Sequence, residues 1–194
     1  QGDWSSDVCS SDLPVAAGDV TQVTATSDTT TSSASYTAMS GMTISPAAGT
    51  YLAMFSTSTK ADAADSIVDT ALYVGGTQLA HTQRSFTEEE SINPDTPFVH
   101  AMLAKVTVTA GQDVEVRWQY SGATGVATAH QRTLTLYKVD PANIAEATAT
   151  SDTTATNTGS DTLLNSMTLT PGAGAYLALF SSSRSEEHTS ELQS

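Results

Sequence analysis

Lys105-Val106-Thr107-Val108-Thr109-Ala110-Gly111-Gln112-Asp113-Val114-Glu115-Val116-Arg117-Trp118-Gln119-Tyr120 is the stretch that decides the fold. Its second half sets Val114, Val116, Trp118 and Tyr120 between Glu115, Arg117 and Gln119. That period of two sends alternate side chains to opposite faces of a strand, with one face half-buried. Upstream, Met102, Ala104, Val106 and Val108 alternate in the same way with Leu103, Lys105 and Thr107. Thr109-Ala110-Gly111-Gln112 between the two is another turn.

The same period extends outward in both directions. Leu134 and Leu136 alternate with Thr133, Thr135 and Tyr137. Ile67 to Val74 and Gln78 to Phe86 flank Gly75-Gly76, a dipeptide that accepts positive φ and predicts a tight hairpin. Pro46-Ala47-Ala48-Gly49 opens a strand at Tyr51, and the apolar run Tyr51 to Phe55 predicts cover on both faces. Lys60 to Asp69 reads as a loop, with Ala61, Ala63 and Ala64 offering at most a turn or two of helix. About seven or eight short strands at this spacing predict an antiparallel sandwich or barrel. Trp118 and Tyr120 share a face with the valines and are expected in the core; facing outward, they would stack on a sugar or a neighbouring subunit.

An internal repeat divides the chain. Thr24-Ala25-Thr26-Ser27-Asp28-Thr29-Thr30 returns at Thr148 to Thr154, Met42 to Pro46 returns as Met167 to Pro171, and Gly49 to Ser56 returns as Gly174 to Ser181. A period this long is a duplicated domain, since solenoid units run about 20–50 residues. The expected organisation is a β-sandwich over residues 20–140 and a truncated second copy over 141–183, joined through Pro141-Ala142-Asn143. That second copy is expected to lack a closed core of its own.

The two ends read differently. Suitable codons for Arg184 to Ser194 give DNA whose opposite strand spells Asp3 to Leu13, and the peptides resemble translated sequencing-library adapter. Residues 1–13 and 184–194 are therefore expected to be artefactual and are set aside. Removing their six acids and one base from the chain's 21 and 7 changes the net charge from −14 to −9. An acidic chain without a basic stripe predicts neither nucleic-acid binding nor attraction to anionic membranes. A run of about 18 apolar residues is missing, so no bilayer insertion is expected. The single cysteine, Cys9, lies in the set-aside segment, which removes disulfides, thiolate ligands and cysteine nucleophiles from consideration.

Read in order, Met42 to Ser56, the hairpin Leu72 to Ala80, Lys105 to Trp118 and His130 to Asp140 resemble complement-type and tumour-necrosis-factor-like jelly rolls. They resemble more closely uncharacterised proteins of environmental phage and bacterial sequence, held to be virion or tail-fibre structural proteins. The resemblance spans Thr21 to Asp140. It implies an all-β antiparallel jelly-roll sandwich, a homotrimer, a virion or extracellular cell-surface location, and a role in assembly or in attachment to a host or glycan ligand. An alternative is a carbohydrate-binding module of a secreted bacterial protein.

Candidate chemistry is sparse. His81, His100 and His130 lack the spacing of a zinc site and are expected as exposed or trimer-axis imidazoles. Asp62, Asp65 and Asp69 crowd one predicted loop, and Glu88, Glu89, Glu90 and Asp95 another. Calcium favours clustered oxygens, yet the glycine-punctuated ligand spacing of a dedicated loop is missing. Glu115 points outward without a second carboxylate for glycoside hydrolysis. Serine is abundant, but no Gly-x-Ser-x-Gly turn occurs. Gly122-Ala123-Thr124-Gly125 lacks the helix and lysine of a phosphate loop. The expectation is no enzyme activity, no catalytic or metal-ligating residue and no cofactor.

Overall fold

The computed structural model of the chain describes residues 19–88, 97–151, 153 and 163–182. The segments 1–13 and 184–194, together with Glu89, Glu90 and Asp95, lie outside these residues. Among the described residues ten strands occur in chain order: β1 (Val20–Ala25), β2 (Thr29–Thr31), β3 (Thr37–Ile44), β4 (Gly49–Ala61), β5 (Ser66–Val74), β6 (Thr77–Gln78), β7 (Arg84–Glu88), β8 (Phe98–Val108), β9 (Val114–Ser121) and β10 (Ala127–Val139).

Two antiparallel sheets form. The first runs β1-β10-β4-β8 with β2 also on β10; the second runs β3-β9-β5, with β6 and β7 both on β5. The chain crosses between sheets at β2 to β3, β3 to β4, β4 to β5, β7 to β8, β8 to β9 and β9 to β10. This rolling path is a jelly roll, and the predicted fold class is correct. It keeps most strand edges inside a sheet, where their backbone groups are paired.

Alternation fixes which side chains meet between the layers. Tyr51, Ala53 and Phe55 from β4, Met102, Ala104 and Val106 from β8, and Leu134 and Leu136 from β10 line the inner face of the first sheet. Met39, Met42, Leu72, Val116 and Trp118 answer from the second. Each such large apolar side chain contributes about 1.5–3 kcal/mol through burial. Trp118 and Tyr120 are 2% and 3% exposed, so they are core residues and not an outward stacking platform.

Several boundaries differ from the sequence expectation. Tyr51 to Phe55 is covered on one face only, because Leu52 is half-buried and Met54 is 37% exposed. The predicted loop over Lys60 to Asp69 shrinks to residues 62–65, as β4 runs on to Ala61 and β5 begins at Ser66. Inward Thr57, Thr59 and Ala61 continue the alternation there, paired with β10 and, through Thr57 and Thr59, with β8. The hairpin at Gly75-Gly76 forms with both glycines at positive φ, but its return arm is broken by a 3₁₀ turn at Ala80–Thr82. The Thr82 hydroxyl causes that break by donating to the Leu79 carbonyl while accepting from the Leu72 N–H. Asp140 caps the short turn Pro141–Asn143 by accepting from the Ala142 N–H at 2.9 Å. Beyond Asn143 no described residue is in a strand or helix.

Candidate functional site

Strand β7 ends the second sheet, β8 ends the first, and they face each other where the two layers open. Phe86 and Phe98 stack across this opening with ring centroids 3.6 Å apart. Beside them lies a groove of about 600 Å³ bordered by Met54, Arg84, Val99, His100, Ala101 and Phe180.

Two buried basic side chains sit behind the groove. His100, 3% exposed, places Nδ1 3.0 Å from the Thr70 Oγ1 of the opposite sheet. Burial pushes its pKa down to about 4, with the Asp69 charge and the Arg84 backbone pulling the other way. This corrects the expectation of an exposed or axial imidazole: His100 occupies an inward register position on β8. Arg84, 7% exposed, donates through Nη1 to the His81 and Gln83 carbonyls and through Nη2 to the Ser181 hydroxyl at 2.7 Å. Its Nε has no acceptor among the described residues, and burial lowers the guanidinium pKa. Sequence reasoning missed Arg84; the signal was its inward parity with Phe86.

The other sequence candidates are dispersed. His81 Nε2 lies 3.7 Å from Glu146, and His130 Nδ1 lies 2.9 Å from Asp28. No group of three metal-ligating residues gathers among the described residues. Asp62, Asp65 and Asp69 do not share a loop, because Asp69 is in β5. Asp62 accepts from the Val126 N–H at 2.6 Å, and Asp69 accepts from Gln119 at 2.8 Å and from the Ser85 hydroxyl. Glu88 is buried at the end of β7. Glu115 pairs with Arg117, whose guanidinium also lies 4.6 Å from the Tyr73 ring centroid. Burial raises the Tyr73 pKa and, more strongly, that of Tyr36, whose ring lies 5.7 Å from it. No described helix is long and apolar enough to cross a membrane.

No family model matches the chain, and no curated protein matches it. Similar solved structures include T=1 particles derived from infectious bursal virus, at 10% identity and a TM-score of 0.43. That match covers 61% of this chain and 31% of the particle chain. Eiger TNF from S. frugiperda matches at 13% identity and a TM-score of 0.45, covering 62% of this chain and 94% of that one. Dimeric latent PorU from Porphyromonas gingivalis matches at 14% identity and a TM-score of 0.35, over 57% of this chain and 10% of that one. The strand order itself carries the assignment: the chain is an all-β jelly-roll protein.

Proposed function

We propose that the chain is a non-enzymatic structural and recognition domain of a virion or tail-fibre surface protein, assembled as a homotrimer and acting in assembly or attachment. The observation that carries the reading is an apolar row on the outer face of the first sheet. Tyr137 on β10 pairs with Leu52 on β4, and Met54 on β4 pairs with Leu103 on β8. All four point away from the core, and none is buried. Such a stripe on an otherwise Thr- and Ser-rich sheet suits packing against a second and third copy.

The interior supports shape over chemistry. Asp69, Ser85 and Gln119 satisfy one another, and His100 is engaged with Thr70. Ser85 and His100 both border the groove, with the Ser85 hydroxyl committed to Asp69 and His100 Nδ1 to Thr70, which supports a structural role for these groups.

Light scattering on the chain at micromolar concentration tests the trimer. A mass three times 20.1 kDa is expected, falling to the monomer on Met54→Lys. A monomeric unmodified chain would reject the assembly. The alternative, a carbohydrate-binding module, is separated by a glycan array. Selective glycan binding by a monomer would favour it.

A further inference from the structure

We propose that the open edge of β8, with the groove beside it, is a strand-docking site for residues Tyr176–Ser182, the segment that repeats β4 in the second copy. The proposal rests on reading residues 146–180 as a repeat of Gln22–Phe55 and is independent of the virion role.

β8 is the end of the first sheet, so among the described residues one side of its backbone lacks a strand neighbour. The C-terminal part of the chain already engages that side at two points. The Lys105 N–H donates to Glu146 Oε1 at 2.9 Å, and the Ala101 carbonyl accepts from the Ser181 hydroxyl at 3.0 Å. Ala101 and Lys105 are four residues apart, and backbone groups alternate sides along a strand. Leu103, midway between them, therefore presents its N–H and C=O to the same edge. Both contacts are made by side chains standing where a neighbouring strand would supply backbone groups.

The segment itself has the composition of a strand that belongs in this core. Tyr51, Ala53 and Phe55 of β4 are 4%, 0% and 3% exposed, and Tyr176, Ala178 and Phe180 repeat them at the same spacing. In the first copy these residues are covered by β8 and β10 on either side. In the second copy Tyr176, Leu177, Leu179 and Phe180 are 62%, 85%, 46% and 59% exposed. A stretch this apolar gains from a sheet edge that pairs its backbone and a groove that takes alternate side chains.

The observed contacts set the orientation. Ser181 is held between Arg84 Nη2 and the Ala101 carbonyl, which pins one end of the segment against the edge. Phe180 borders the groove beside Phe86 and Met102. Extending the segment along β8 from this anchor turns Phe180, Ala178 and Tyr176 inward, in the phase of their β4 counterparts. Arg84 then serves as the polar anchor. It is a buried cation whose Nη2 acceptor comes from the docked segment and not from its own sheet.

Hydrogen exchange on the unmodified chain tests this directly. Leu177, Leu179 and the edge amides of Leu103 and Lys105 should exchange at least about tenfold more slowly than an unpaired peptide. Phe180→Asp, at a residue 59% exposed, should release the segment and the edge together while Tyr51 to Phe55 stay protected. Lys105→Pro removes an outward N–H without touching the β4 ladder and should release the segment as well. Exchange of 176–182 at free-peptide rates in the unmodified chain would overturn the proposal. So would protection that survives both substitutions. The trimer is read separately by mass, so a trimeric chain with an unprotected segment would sink the docking site alone.

Discussion

Arg132 on β10 donates through Nε to the Ser40 carbonyl of β3 at 2.9 Å, a bond from one sheet to the other. Its Nη1 donates to the Ser27 and His130 carbonyls at 2.8 and 2.9 Å. The β10–β4 register shifts between Ala129 and Arg132, and the guanidinium satisfies carbonyls around that irregularity. One 4% exposed side chain thus ties together the β1–β2 corner, the shifted register and the opposite sheet.

Arg132→Lys should therefore destabilise the fold despite keeping the charge, because a single ammonium cannot reproduce the planar fork. Leaving buried carbonyls unpaired costs about 1–3 kcal/mol. Urea unfolding of the two proteins measures the difference. Equal midpoints would show that the clasp contributes nothing.

Gly125 has φ of +95°, and a Cβ there would meet the Asp62 carboxylate and the Tyr120 hydroxyl. Those two groups hold the loop, through Asp62 to the Val126 N–H and Tyr120 to the Thr124 carbonyl. Gly125→Ala should cost on the order of 1–3 kcal/mol from strain, plus the displaced bonds. Gly111, at φ +82° but with open space around it, should cost less on the same change. Thermal melts of the pair rank the two.

Trp118 lies between the sheets at 2% exposure. Trp118→Ala should cost about 3–5 kcal/mol through lost burial and the cavity left behind. With Trp4, the chain's other tryptophan, replaced by Phe, Trp118 fluorescence should be shielded from iodide. Ready quenching would place the ring in solvent.

How much of this was legible in the sequence follows from side-chain size. Val114 to Tyr120 and Met102 to Val108 announced themselves because large apolar groups alternate with charge or hydroxyl. Gly75-Gly76 marked its turn because only positive φ closes it. The far half of β4 was hidden because Thr57, Thr59 and Ala61 fill the inward positions with small side chains that read as loop. Only pairing with β8 and β10 makes them strand, and that information lies some forty to eighty residues away. Arg84, His100 and Arg132 were illegible for a related reason: their inward parity is visible, but their burial depends on partners across the opening. The acidic cluster at residues 62–69 misled because Asp69 is satisfied across strands by Ser85 and Gln119.

Alternate side chains of β1 to β10 meet between two layers, and His100 reports on that meeting most sharply. The unfolded imidazole binds its proton at about 6.5. The folded one is held down to about 4 by burial. Between these values the unfolded state binds more protons, so stability is full above about pH 6.5 and declines as pH falls toward 4. The loss amounts to something on the order of 3 kcal/mol, and His100→Gln should flatten it. The direct measurement is an NMR titration of the His100 ring in the folded chain. A midpoint near 4 is predicted. A midpoint near 6.5 would put the imidazole in water and contradict the two-layer assignment.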